Sequence, residues 1–246
     1  MLRLSQGWLL VLLTLSNLII YVDRGILSAL VVHLRDPITG LGLSDTESGS
    51  LGSAFMFGYM LTSPFFAHAV QFYHPLSLVS LGLGVWTLAT GLAGVSNGYW
   101  LLLAARALTG VAEASICPII PPMLIEMAPA DKKTMWLSTY FAAMPIGVAL
   151  GYIYGEEVTS LLGSWHYPFL IETLIMLPFL LITIFTDKSP SLRKSSATDA
   201  SAVPATIPFP SQLTLLFTNP VYIFIVLGQC AYVFTVGGLA FWVVLI

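Results

Sequence analysis

The sequence predicts an all-α membrane protein, a bundle of six membrane-spanning helices followed by a seventh helix. Charged residues make up 9% of the 246 residues, while hydrophobic residues reach 57% and the mean hydropathy is +0.89. A soluble domain carries roughly 25% charged residues, so this composition predicts a protein embedded in a lipid membrane. Apolar runs also recur at about 20 residues, the length a helix needs to cross a ~30 Å hydrocarbon core. A net charge of −3 without a long basic run predicts no nucleic-acid partner.

Seven apolar segments are long enough to be membrane spans. They cover residues 8–34, 45–70, 76–96, 99–125, 134–158, 166–186 and 213–246. The first segment could be mistaken for a signal peptide, but it runs past Asp23 and Arg24 to Leu34. That is far beyond a 7–15-residue signal core, so we expect it to remain as a span.

The basic residues predict a cytoplasmic N-terminus. With that orientation one basic residue, Arg35, falls outside the membrane, and Arg24 and Arg106 lie within spans. The remaining basic residues fall inside: Arg3, Lys132, Lys133, Lys188, Arg193 and Lys194. This bias follows the positive-inside rule of multi-pass membrane proteins.

The segment 187–212 is rich in Ser, Ala, Pro and Thr, which predicts a flexible cytoplasmic linker. We therefore expect an N-terminal six-helix half at 1–186, the linker, and the start of a C-terminal half at 213–246. Six spans, a polar linker and further spans are the layout of a two-half transporter. The last span ends at VVLI with no polar flank, which favours a chain cut off after its seventh span.

Four charged residues within the spans form the candidate site: Asp23, Arg24, Arg106 and Glu113. A charge at the bilayer centre costs roughly 2.5–3.5 kcal/mol on insertion scales unless it is paired or faces a water-filled cavity. Asp23 and Arg24 diverge by about 100° on their helix, so each needs a partner elsewhere. Arg106 and Glu113 lie seven residues apart on one face of the fourth span, with Glu113 at the depth of Arg24. We expect ion pairs between the first and fourth helices.

Two interpretations of these charges stay open. They are interhelical pairs that only fix packing, or they face a central cavity and bind substrate or protons. Glu172 is a further acid within the sixth span. It belongs to this charged site, or it lies near a neighbouring helix surface or in a local polar pocket. Cys117 and Cys230 have neither disulfide nor metal-ligand spacing, and no metal or cofactor is predicted.

Small residues mark where helices are expected to approach closely or bend. Gly147, Gly151 and Gly155 recur every four residues on one face of the fifth span, a pattern typical of close helix packing. Three prolines within 118–122 predict a kink in the fourth span.

Several stretches resemble the spinster branch of the major facilitator superfamily, with its plant-like members nearest. They are NLIIYVDRGILSALV, GLSDTESGSLGSAFMFGYMLTSPFFA, ARALTGVAEAS, KKTMWLSTYFAAMPIGVALGYIYG and NPVYIFIVLGQCAYVFTVGGLAFW, at 17–31, 42–67, 105–115, 132–155 and 219–242. The resemblance covers nearly the whole chain apart from the linker, and it implies the major facilitator fold.

The resemblance also implies a function, that of a proton-coupled secondary transporter. The substrate class it implies is an amphipathic lipid, a sphingolipid or lysophospholipid, and the partners are that substrate and protons. Asp23, Arg106 and Glu113 match the charged positions of the family's cavity, and Arg24 matches more loosely. The membrane could be endolysosomal or vacuolar, mitochondrial, or the plasma membrane. Alternatives are a non-transporting carrier fragment and a facilitator for small organic anions.

One stretch departs from the family pattern. The loop after the second span usually carries an acid and arginines, but here it reads AHAVQFYHPLS, with Gln71, Phe72 and Pro75 at those positions. The usual cytoplasmic gate is therefore in doubt, and His68 and His74 are candidates for pH-sensitive substitutes or for ordinary packed histidines.

Two other classes are disfavoured. A seven-span receptor would have an external N-terminus, against the charge bias. HExxH and paired-Asp motifs are missing from the sequence, so we do not expect an enzyme.

Overall fold

The computed structural model describes residues 4–186, 214 and 216–242, and that part of the chain is organised as eight helices. Their bounds are α1 Gln6–Arg35, α2 Asp45–Ala69, α3 Pro75–Gly94, α4 Tyr99–Glu113, α5 Ile120–Met127, α6 Lys133–Leu162, α7 His166–Phe185 and α8 Pro220–Trp242. The chain separates into two compact units, Met1–Leu192 with α1 to α7 and Arg193–Ile246 with α8. The predicted linker at 187–212 lies outside the described residues, and the predicted domain boundaries stay a prediction.

Five of the described helices, α1, α3, α6, α7 and α8, are long and apolar enough to cross a membrane. These correspond to five of the seven predicted spans. The second predicted span forms α2, a single helix of 25 residues in which Ser, Thr and Gly dilute the apolar character. The prediction of an all-α membrane protein is confirmed, whereas the orientation of the N-terminus stays a prediction.

The fourth predicted span, 99–125, is not one continuous helix. It forms α4 and the short α5, joined by turns at 114–119. Proline lacks a backbone N–H and clashes with the preceding helical turn. Pro118, Pro121 and Pro122 therefore interrupt the hydrogen-bond ladder just after Glu113, where the sequence predicted a kink rather than a break.

Helix α6 packs along the length of α1 through its glycine face. Gly147, Gly151 and Gly155 are buried and meet the α1 backbone between Leu18 and Ile26. The side-chain amide of Asn17 adds a hydrogen bond of 3.2 Å to the carbonyl oxygen of Tyr140. The close packing predicted from the glycine repeat is confirmed, and α1 is the helix that approaches.

Helix α4 lies against α2 and α3. Gly58 of α2 faces the α4 backbone at Ala107, and Gly110 of α4 faces the α2 backbone at Phe55 and Tyr59. This second glycine contact places the buried face of α4, which carries Arg106 and Glu113, towards the interior of the bundle.

The connection from α1 to α2 is fixed by local hydrogen bonds. Asp36 accepts from the backbone N–H of Ile38 at 2.8 Å and from the hydroxyl of Thr39 at 2.7 Å. These donors stabilise the carboxylate, and they hold the pKa of Asp36 below its usual value. Ser44 and Glu47 then form a capping box that starts α2.

Candidate functional site

The innermost ion pair of the bundle joins α4 to α1. An Nη atom of Arg106 donates to a carboxylate oxygen of Asp23 at 2.8 Å, and the two side chains are 2% and 1% exposed. The guanidinium carbon of Arg106 also lies 5.0 Å from the centroid of the Phe169 ring of α7. Because both side chains are buried, water cannot solvate either charge, and each charge is stabilised by its partner instead.

A second ion pair joins the same two helices, but in this pair the arginine belongs to α1 and the carboxylate to α4. The Arg24 guanidinium of α1 pairs with the Glu113 carboxylate of α4, and Glu113 is fully buried while the Arg24 side chain is 29% exposed. Arg24 also lies over two rings, with its guanidinium carbon 4.5 Å from the Tyr21 centroid and 4.7 Å from that of Phe55. The aromatic faces hold the cation in place while part of it remains accessible.

The four predicted residues therefore meet in two crossed pairs between α1 and α4. The expected ion pairs are present, and they join Arg24 to Glu113 and Arg106 to Asp23. Several of their polar atoms have no hydrogen-bond partner among the described residues: Asp23 Oδ1, Arg24 Nε, Arg106 Nε, one Arg106 Nη and Glu113 Oε1. The site thus keeps unused donors and acceptors next to an accessible cation, a chemistry suited to an anionic head group or to a proton.

Sequence reasoning left the surroundings of the four charges unassigned. Tyr21, Phe55 and Phe169 contact the arginines, but an aromatic residue in an apolar helix gives no sequence signal of such a role. Glu172 is different, because an acid within FLIETLIM already indicated a buried carboxyl group. It is 2% exposed, and it lies within electrostatic range of Asp23 and Arg106.

The stretch that departs from the family pattern forms the connection between α2 and α3. The Nδ1 atom of His74 accepts from the backbone N–H of Leu76 at 3.2 Å and so caps α3. The ring of His68 packs edge-on against Phe72, with centroids 5.1 Å apart. These contacts give both histidines structural roles, and their part in a gate stays a hypothesis. Across the described part of the chain no group of three or more His, Cys, Asp or Glu side chains could hold a metal ion.

Comparison with known proteins identifies the family. The family model described as Major Facilitator Superfamily matches residues 13–246. The chain therefore belongs to the major facilitator superfamily, whose members are transporters rather than enzymes.

The similar curated proteins are spinster homologues, which confirms the branch that the sequence resembles. The "Probable sphingolipid transporter spinster homolog 1" of Arabidopsis thaliana is 32% identical over 97% of this chain and 56% of its own length. "Protein spinster homolog 1" of Xenopus laevis is 31% identical over 95% of this chain and 44% of its own length. The chain thus spans about half the length of the curated relatives it matches.

Solved structures share the fold. A bacterial homologue of the human lysosomal transporter Spinster, in an inward-facing and occupied conformation, matches 76% of this chain and 45% of its own with a TM-score of 0.66 and 19% identity. The peptide transporter POT in complex with sulfate matches 92% of this chain and 50% of its own with a TM-score of 0.62 and 15% identity. At these identities the likeness confirms the major facilitator fold that the resemblance implied.

Proposed function

We propose that this chain contributes the N-terminal, charge-bearing half of a proton-coupled carrier that moves a sphingolipid or lysophospholipid across a membrane. The observation that carries the proposal is the crossed arrangement of Arg24 with Glu113 and Arg106 with Asp23. A carrier that alternates between two open states must compensate its buried charges in both states. A carboxylate that exchanges an arginine partner for a proton does so without leaving a bare charge in lipid.

The exposure of the two arginines assigns them different parts in this proposal. Arg24 is 29% exposed and held between two rings, so it is the group that meets the anionic head of the substrate. Glu113 is fully buried against it, and it is released when the head group takes its place. The released carboxylate then binds a proton, which couples substrate binding to proton binding. The names of the spinster relatives support a sphingolipid as the substrate class.

The test is uptake of a labelled lysolipid into vesicles that contain the whole protein, with and without an imposed pH gradient. Glu113→Gln keeps the shape of the side chain but cannot exchange a proton, so we expect the gradient to stop stimulating uptake. Glu157→Gln, on the exposed face of α6, is the matched control and should behave as the unmodified protein does. Full stimulation in Glu113→Gln would contradict the assignment of Glu113, and absence of lysolipid and sphingolipid uptake in the unmodified protein would contradict the substrate class.

A further inference from the structure

Glu172 is a buried acid that takes part in neither of the two ion pairs. It lies in the apolar helix α7 and is 2% exposed. Neither of its carboxylate oxygens has a hydrogen-bond partner among the described residues. An ionised carboxylate in this position would lack water, and the donor that acts on it is the backbone N–H of Asp23, so its charge would be poorly compensated inside the membrane.

Its neighbours are the members of the inner ion pair. Phe169 lies one helical turn before Glu172 on α7 and contacts the guanidinium group of Arg106. The charges of Asp23, Arg106 and Glu113 all act on Glu172. Glu172 therefore brings a third helix to the charge cluster formed by α1 and α4.

Arg106, which forms the inner ion pair with Asp23, has further N–H groups that could bind a second carboxylate. Arg106 donates one hydrogen bond to Asp23, while its Nε and its other Nη have no partner among the described residues. A guanidinium group offers five N–H donors and does not lose its charge. Arg106 can therefore accept Glu172 as a partner whenever Asp23 gives up its charge.

A charge count makes the same point. Two guanidinium groups, of Arg24 and Arg106, face three carboxyl groups, of Asp23, Glu113 and Glu172. With all five ionised the cluster carries a net charge of −1, and one proton makes it neutral. The low dielectric constant inside the bundle favours the protonation state in which the net charge of the cluster is zero.

The elements around Glu172 contain few other groups that could take that proton. Tyr154 of α6 faces Glu172, but its hydroxyl donates to the carbonyl oxygen of Pro168 at 3.1 Å. Helix α3, which packs against α7, has no ionisable side chain in its sequence PLSLVSLGLGVWTLATGLAG. The proton therefore belongs to the three carboxyl groups, and two of them are already paired with arginine.

We propose that Glu172 is a proton-binding residue of the carrier and that Asp23 and Glu172 are alternative partners of Arg106. In one state the proton is on a carboxylate oxygen of Glu172, and Arg106 pairs with Asp23. In the other state the O–H bond on Glu172 is broken, an O–H bond is formed on Asp23, and Arg106 pairs with Glu172. Each state contains one proton and the same net charge. This inference rests on the proposed function, since the exchange matters to a carrier that moves protons.

Infrared difference spectroscopy of the whole protein in lipid vesicles, near neutral pH, tests the proton site without transport. We expect the carbonyl-stretch band of a buried protonated carboxyl group, which Glu172→Gln removes and the exposed control Glu157→Gln keeps. Asp23→Asn is the decisive variant. With an amide at position 23, Arg106 turns to Glu172, and the band should disappear although Glu172 is still present. A band that survives Glu172→Gln, or one that is unchanged in Asp23→Asn, overturns the proposal.

Transport separates this inference from the proposed function. If the unmodified protein takes up labelled lysolipid and a pH gradient stimulates that uptake, Glu172→Gln should retain uptake with a weaker stimulation, because the proton shared by Glu172 and Asp23 is lost while the Glu113 proton remains. A merely structural neutral acid would tolerate the isosteric amide with its pH profile unchanged, and that result would overturn the role of Glu172 while the carrier stands. If the protein moves no lipid but shows the band and its loss in Asp23→Asn, the proton site is supported and the carrier function fails.

Discussion

Gly25 of α1 and Gly151 of α6 face each other so closely that a methyl group added to either one would lie 2.8 Å from the Cα atom of the other. Side-chain carbons do not approach backbone atoms to that distance, so the two helices touch through their backbones. This contact lies next to Asp23 and Arg24, and it fixes the position of both residues relative to α6.

We expect Gly151→Ala to destabilise the bundle. The new methyl group would collide with the α1 backbone, and overpacking of this kind costs typically about 1–3 kcal/mol. The midpoint of thermal unfolding in detergent measures the effect. Gly7→Ala is the matched control, since an added Cβ at this helical glycine of α1 meets nothing within 4 Å. Equal midpoints for the two variants would show that the glycine contact does not limit stability.

The inner ion pair should show strong coupling in a double-mutant cycle of Asp23→Asn and Arg106→Gln. The cycle is measured in the Glu172→Gln background, where Arg106 cannot take Glu172 as a second partner. Each single change then leaves one buried group without its partner, whereas the double change removes both charges, so we expect a coupling free energy of about 0.5–3 kcal/mol. The cycle is read from unfolding free energies in detergent. The pair of Arg35 and Asp45, whose side chains are 34% and 72% exposed, provides the comparison and should couple by about 0–1 kcal/mol. Coupling as weak in the buried cycle as in the exposed one would contradict a dry charge cluster.

The rings around Arg24 should matter for substrate binding in the proposed carrier. Phe55→Leu removes one aromatic face from the guanidinium group, which is worth roughly 0.5–2 kcal/mol. We therefore expect the KM for an anionic lysolipid to rise by about 2- to 30-fold, with kcat less affected. Tyr21→Phe retains the ring and is the control. A KM that rises in Tyr21→Phe but is unchanged in Phe55→Leu would point to the tyrosine hydroxyl rather than to the aromatic faces.

The loop between α1 and α2 should loosen in acid. The folded pKa of Asp36 lies below its unfolded value, so its carboxylate contributes stability above the ordinary aspartate pKa of about 4. That contribution is lost as the pH falls through the lowered folded value. The pH dependence of a fluorescent label on an Ile38→Cys variant would follow the loop, since Ile38 donates to Asp36 through its backbone N–H. The Asp36→Asn background should remove the transition. A transition that persists in Asp36→Asn would assign it to another group.

The sequence predicted the membrane class, most of the spans, and ion pairing between the first and fourth helices with Arg24 and Glu113 at similar depth, because insertion cost and helix rise constrain these features directly. It did not predict the break after Glu113. Three prolines indicate an interruption, but whether a helix bends or ends depends on the packing around it. The partner of Asp23 was also beyond the sequence, since Arg106 lies about two helical turns before Glu113 and its spacing did not say which acid its side chain would reach.

The position of Glu172 could not be predicted from the sequence either. Its burial was foreseeable from FLIETLIM, but its place beside Arg106 depends on how α7 packs, and α7 contacts α3 more extensively than it contacts α1. The contacts of Phe55 with Arg24 and of Phe169 with Arg106 are of this kind too, because each ring comes from another helix than its arginine. Residues that reach a site across helices give no periodic pattern along their own helix.

The two glycine contacts have a mechanical consequence. They lock α1 to α6 and α2 to α4 backbone against backbone, and neither pair can slide internally without collisions. A movement that draws α1 away from α4 must therefore carry α6 with α1 and α2 with α4. Both ion pairs join one of these helix pairs to the other. We therefore expect a displacement of α1 from α4 to break the ion pairs before it disturbs the glycine contacts.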